Sequence, residues 1–205
     1  MNYAEIASKE SIEKTTQNLS PRDFEPIVVN TKEEALKTVK ALIPQGASVM
    51  NGASKTLEQI GFIDYLKSGQ HGWDNVHEKI LREKDPAKQS LLRKHATVSD
   101  FYLGSVHALT EEGEMVVASN TGSQLPSIVF NTQNLIFVVG AQKIVPNLGE
   151  AFKRLQEYVV PLEDENMKNK YGTGTMRSKT LILHRENPIL GRKIRVLIVK
   201  EHLGF

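Results

Sequence analysis

Phe101 to Val145 reads FYLGSVHALTEEGEMVVASNTGSQLPSIVFNTQNLIFVVGAQKIV, and its pattern decides the fold class. Three apolar runs, Phe101–Leu103, Met115–Ala118 and Leu135–Val139, each open into a loop of small polar residues. Those loops are Gly104-Ser105, Ser119–Gln124 and Gly140-Ala141-Gln142-Lys143. An α/β protein builds small-molecule sites in this way, from buried strands whose ends expose backbone N–H groups and hydroxyls. The stretch therefore predicts a site for an anionic or polyhydroxy ligand.

Upstream, residues 3–19 read as an amphipathic helix with Tyr3, Ile6, Ala7 and Ile12 on one stripe, broken by Ser20-Pro21-Arg22-Asp23. Ile27-Val28-Val29 is a first strand. Thr31-Lys32-Glu33-Glu34 is a capping box, in which Thr31 and Glu34 satisfy each other's free N–H groups, and it opens a helix through Ile43. Ala47–Met50 is a second strand, and Asn51–Thr56 leads into a helix carrying Leu57, Ile60 and Leu66. This β-α-β-α order favours a parallel sheet. Residues 69–79 form either a short strand or a loop at the sheet edge, and 85–95 a polar helix. Glu111-Glu112-Gly113 is the turn of an inserted β-hairpin. Asn147–Tyr158 is a helix, Pro161–Asn169 a charged connection, and Thr180–Leu183 and Ile194–Val199 are closing strands. The predicted fold is α/β, a mainly parallel sheet with helices on both faces. An N-terminal helical arm covers 1–22 and one domain covers 23–205.

Composition narrows the function. The 205 residues are 40% hydrophobic and 24% charged, which are globular values. Basic and acidic residues number 26 and 24 and are spread along the chain, which argues against a dedicated nucleic-acid binder. With no cysteine, the chain holds no disulfide, thiolate nucleophile or iron–sulfur cluster by itself. The first residues, MNYAEIASKESIEK, lack the apolar core of a secretory signal, and no apolar run approaches the roughly 20 residues that span a bilayer. The expectation is a cytoplasmic protein without membrane contact, cofactor or metal, able to form a homo-oligomer.

Three loops are candidate ligand contacts. In the first, Asn120, Thr121, Gly122, Ser123 and Gln124 place two hydroxyls around a glycine before Pro126. They either cap the helix that follows or meet an anion at its N-terminus. Asn51, Gly52 and Ser54 repeat the design. Gly172, Thr173, Gly174 and Thr175, with Lys179 beyond, form either a backbone nest or a mobile turn, and match neither a Walker A nor a dinucleotide motif. Ser105 and Lys143 end the other two runs, and Lys143 either contacts an anion, caps a helix or pairs with Glu150. Among six histidines none has metal-ligand spacing. His107 is the best placed for acid–base work, or else is a satisfied strand-end residue. Glu114, the carboxylate nearest in sequence to the Asn120 loop, either joins that work or is a solvated hairpin glutamate. The mixed charges at Lys153, Arg154 and Glu157 read as a solvated face.

Several separated motifs resemble the LUD-domain family, named for lactate utilisation. They are Leu103–Glu114, Ser119–Gln124, Phe137–Val145, Tyr171–Thr175 and Val199–Phe205, so the resemblance covers roughly residues 25–205. It implies an α/β fold similar to the ribose-5-phosphate isomerase, glucosamine-6-phosphate deaminase and CoA-transferase group. It also implies a link to lactate oxidation, where members act beside iron–sulfur proteins and longer members carry a cysteine-rich, ferredoxin-like segment. Met176-Arg177-Ser178-Lys179-Thr180 stands where better-known members have a Ser-Arg-Thr-Ala-Asp-type motif. The implied function is binding of a small anionic or hydroxylated metabolite in lactate utilisation. Alternatives are an enzyme acting on a phosphosugar, CoA ester or folate-like substrate, and a non-catalytic subunit docking through residues 3–19 on a redox partner.

Overall fold

In a computed structural model describing residues 1–205, ten strands form two sheets. The strands are β1 (Phe24–Val29), β2 (Ser48–Asn51), β3 (Asp74–Asn75), β4 (Phe101–Gly104), β5 (Ala108–Thr110), β6 (Met115–Ser119), β7 (Asn134–Gly140), β8 (Ile144–Val145), β9 (Lys179–Leu183) and β10 (Lys193–Val199). The helices are α1 (Lys9–Leu19), α2 (Lys32–Leu42), α3 (Lys55–Gln59), α4 (Phe62–Ser68), α5 (Val76–Arg82), α6 (Pro86–His95), α7 (Leu148–Arg154) and α8 (Val160–Tyr171).

The main sheet has the order β1-β10-β7-β4-β2-β3, and every pairing in it is parallel. Parallel strands are buried on both faces, so they read as unbroken apolar runs. Leu135 to Val139 is fully buried, with side chains alternating between two cores. Leu135, Phe137 and Val139 pack on one face, Ile136 and Val138 on the other. The second face is covered by α2, α3 and α4 through Ala35, Val39, Leu57, Phe62 and Leu66. The first is covered by Ile12 and Leu19 of α1 together with a second sheet, not by helices alone.

That second sheet runs β8-β5-β6-β9. It contains the expected hairpin, with β5 and β6 antiparallel and Gly113 at φ 90° in the turn. β9 and β8 extend the hairpin into a layer of four strands. β1 begins at Phe24 and includes Pro26, which is tolerated because β1 is an edge strand. β3 resolves residues 69–79 as a two-residue edge strand at Asp74–Asn75.

Local chemistry sets the helix ends. Thr31 Oγ1 accepts from Glu34 N–H, but the Glu34 carboxylate accepts from the backbone N–H of Asn30, one residue earlier than a reciprocal box requires. Asp85, before Pro86, caps α6 in the same manner. α1 begins at Lys9 rather than at residue 3, with Ser8 as its cap. Residues 161–169, expected as a charged connection, lie within α8 and are helical. α7 runs through a π-helical turn at Leu155–Val159 directly into α8. No helix is long and apolar enough to cross a membrane.

Candidate functional site

All six main-sheet strands point the same way, so their C-terminal ends share one edge of the sheet. β2 ends at Asn51, β4 at Gly104 and β7 at Gly140, with Asn51 opposite Leu103 and Gly104 opposite Phe137. The loops that leave these ends, with α3, α8 and residues 119–124, enclose a cavity of about 470 Å³. That lies in the size range of metabolite pockets, roughly 300–1,000 Å³. Its lining contains Lys55, Arg93, Lys143, Lys170 and Arg177 against Glu58 and Glu163, so the wall is net positive.

Lys143 is the innermost of these charges, only 3% exposed. Its Nζ donates to Thr56 Oγ1 at 3.0 Å, Ser105 Oγ at 3.0 Å and the Val106 carbonyl at 3.2 Å. All three acceptors are neutral, and no carboxylate pairs with the ammonium. Burial, and then the charge of Arg154, pull its pKa from 10.5 to about 7. The chain closes over it from the far end, where Gln142 Nε2 donates to Leu203 O at 2.8 Å and accepts at Oε1 from Leu203 N–H at 3.2 Å. Gly204, at φ 68°, lies against Thr56 and Lys143 where a side chain would collide. The alternative pairing of Lys143 with Glu150 does not form. Glu150 accepts instead from the Tyr3 hydroxyl at 2.7 Å.

Asn51 adds an acceptor. Its Oδ1 is buried without a partner while the residue lines the cavity, an arrangement that suits a hydroxyl or amine on a ligand. Tyr102, inside the first apolar run, lies with its hydroxyl against Gly52 and Gly104. A Cβ on Gly52 would collide with that hydroxyl, and one on Gly104 would press tightly on the Tyr102 ring.

His107 lines the same cavity. Its Nδ1 accepts from the Ala118 N–H at 3.0 Å, which leaves Nε2 as the protonated nitrogen of a neutral ring. Burial first, and then Lys143 and Arg154, push its pKa down to about 3. The geometry therefore makes His107 a neutral hydrogen-bond donor instead of a proton-transfer base. Glu114 lies outside the cavity, where its carboxylate meets His184 Nδ1 at 2.6 Å. Arg154, expected on a solvated face, is fully buried and donates to the His107 carbonyl at 2.6 Å.

The remaining candidates form the rim. Ser54 caps α3 by accepting from Leu57 N–H. Thr121 donates to Ser123 Oγ at 3.1 Å, and Gly122 N–H donates to Ser119 Oγ at 2.9 Å, so the loop is braced internally. The segment after it is a π turn at Ser127–Asn131 that neither hydroxyl caps. Asn51, Gly52, Ser54, Ser105, His107, Asn120, Thr121, Ser123, Gln124, Lys143 and Thr175 converge on the cavity. Gly122, Gly172, Thr173, Gly174 and Lys179 stand behind that wall. Lys179 packs on Gly122 and donates to the Asn120 carbonyl at 3.3 Å.

Other lining residues gave little sequence signal. Thr56 and Tyr102 sat inside segments read for their caps and apolar runs, His77 in the stretch read as a short strand or edge loop, and Arg93 in the polar helix at 85–95. His77 Nδ1 lies 3.3 Å from the Asn51 carbonyl, and burial lowers its pKa. Glu58 binds Lys170 at 2.9 Å and Lys55 at 3.2 Å, tying α8 to α3 at the mouth. Burial works to raise its pKa, but the two lysines outweigh that and hold it low.

A parallel sheet backed by a second sheet, with a strand-end cavity around a buried lysine, defines an α/β fold of the open, strand-end-pocket class. Within it, the LUD-domain model matches residues 12–196, and the chain belongs to the LUD-domain family. Its fold is similar to the crystal structure of a DUF162 family protein from Deinococcus radiodurans. The TM-score is 0.53 at 13% identity, over 95% of this chain and 99% of that one, a likeness of fold alone. No curated protein matches the sequence.

Proposed function

We propose that the cavity binds a small anionic, hydroxylated metabolite and that the protein serves lactate utilisation, the process for which its family is named. One observation carries the reading: the buried Lys143 ammonium has only neutral partners and faces a cavity whose wall is net positive. An anion entering there supplies the missing countercharge. Its hydroxyl meets Asn51 Oδ1, which has no partner in the chain. The ligand contacts are Asn51, Ser105, Asn120, Thr121, Ser123, Gln124, Lys143 and Thr175, with His107 as a neutral donor. Since the chain has no cysteine, electron transfer in lactate oxidation would fall to an iron–sulfur partner.

The cavity volume favours a second reading, in which the ligand is larger than a three-carbon acid, such as a phosphosugar, a CoA ester or a folate-like compound. A thermal-shift and calorimetric series with lactate, phosphosugars, CoA esters and folates separates the two, because a ligand of the folded state raises Tm. A ligand of either class should lose affinity by about tenfold or more in Lys143→Met, and several-fold in Thr121→Ala with Ser123→Ala. Unchanged affinity in Lys143→Met would remove the lysine from the site.

A further inference from the structure

We propose that Lys143 is a nucleophile that condenses with an anionic carbonyl compound, a 2-oxo acid or a carboxylate-bearing aldehyde, to form a protonated imine in the cavity. The proposal rests on the binding reading above, since the substrate must first occupy the same cavity.

Four observations converge. The Lys143 stem is buried, so the amine is delivered to one position on the cavity wall. Lys14, Lys55, Lys79, Lys168 and Lys170 all pair with carboxylates, which hold an amine protonated, whereas Lys143 meets only neutral acceptors. Those acceptors are oriented. Ser105 Oγ gives its own hydrogen to the Val138 carbonyl at 2.6 Å, and Thr56 Oγ1 gives its hydrogen to the Leu203 carbonyl at 3.3 Å or to Ser105 Oγ at 3.4 Å. Both hydroxyls thus present lone pairs to Nζ, and neither donates a hydrogen that would occupy the nitrogen lone pair once the amine is neutral. Finally, His107 lines the cavity as a neutral ring with Nδ1 engaged and Nε2–H free to bond a carbonyl oxygen.

Burial and the neighbouring charge of Arg154 supply the neutral amine near pH 7, where a solvent-exposed lysine is almost wholly protonated. The lone pair of Nζ then attacks the carbonyl carbon. As the C–N bond forms, the π pair of C=O moves to oxygen, which takes a proton shed by nitrogen. The C–O bond breaks next, and oxygen leaves as water with a further proton. Overall, one ammonium and one carbonyl give one protonated imine and one water, with charge conserved and nothing oxidised or reduced. The oxidation of a 2-hydroxy acid yields a carbonyl compound of this class.

The test is reductive trapping on the full chain. The protein is incubated with pyruvate or glyoxylate, reduced with cyanoborohydride, and read by intact mass and peptide mapping. The expected result is one adduct, the mass of the probe less one oxygen atom, located on Lys143. Labelling there should exceed that of any surface lysine by at least about tenfold, reflecting the larger neutral fraction. The unsubstituted chain carries this readout, so it does not depend on a variant folding. Lys143→Arg, which keeps the charge but not the nucleophile, should lose the adduct. No adduct on Lys143 with either probe, or labelling spread evenly over surface lysines, overturns the proposal. Thermal shifts with the same probes keep the two readings apart: Lys143-dependent stabilisation without trapping defeats the imine and leaves binding intact.

Discussion

The Lys143 side-chain nitrogen lies 3.0 Å from the Thr56 hydroxyl, although the two residues are 87 positions apart in the chain. The contact exists because β2 and β7 are parallel and end at the same edge of the sheet, so the loops after Asn51 and Gly140 meet. The same edge brings in Ser105 from the end of β4, and each of these residues occupies the first few positions after its strand.

Stability should depend on pH through two buried bases. The folded pKa of His107 is about 3, against 6.5 in the unfolded chain. Below 6.5 the unfolded chain gains a proton that the folded one refuses, so stability is complete above 6.5 and falls as pH drops towards 3. The folded pKa of Lys143 is about 7, against 10.5, so stability rises with pH between those values. Urea midpoints across a pH series check both limbs. His107→Gln should flatten the acid limb and Lys143→Met the alkaline one, whereas curves parallel to the unsubstituted chain would refute the assignments.

Gly204→Ala tests the closure over Lys143. The residue has φ 68°, and a methyl group there would overlap Thr56 Oγ1 and approach Lys143 Nζ to 3.0 Å. The left-handed backbone and the collision together should cost about 1–3 kcal/mol in denaturant unfolding. Affinity for any ligand that reaches Lys143 should fall in parallel. A variant as stable as the parent, with full binding, would show that the segment moves freely.

Arg192 anchors the opposite side of the fold. Its guanidinium binds Glu186 at 3.0 Å and the carbonyls of Ile128, Val129 and Thr132 at 2.7, 2.8 and 3.0 Å. Arg192→Met leaves the buried Glu186 carboxylate without its countercharge, held only by the Asn187 N–H, and takes this donor from three carbonyls, and should cost about 3–5 kcal/mol. Arg192→Lys should rescue little, because one ammonium cannot span four acceptors. Thermal melts distinguish these outcomes from a surface ion pair, whose loss would move Tm very little.

The sheet was legible because parallel strands leave a local record. Leu135–Val139 is apolar throughout since both faces are buried, and the turn at Glu111–Gly113 is marked by its glycine. α8 was illegible because none of its residues is buried, so VPLEDENMKNKY carries no apolar stripe. The strand-end loops announced Ser105 and Lys143, but not that Lys143 is buried, which depends on Gly204 and Leu203 folding back from the other end of the chain. Arg154 misled for the same reason: a charge in a polar helix reads as solvated until Tyr3 and Tyr158 are seen beside it. Tyr102 looked like one more apolar strand residue, and only the neighbouring glycines reveal where its hydroxyl goes.

The π turn at Leu155–Val159 works as a phase setting for the mouth of the cavity. One surplus residue there fixes the rotation at which α8 emerges, and with it the direction in which Glu163, Asn166, Met167 and Lys170 face. Winding the same residues as ordinary α-helix would turn everything beyond them by roughly 100°. That rotation would carry Lys170 away from Glu58 and replace the rim of the cavity without touching its floor. The winding of this one segment can therefore recast which ligands enter while the lysine below stays where it is.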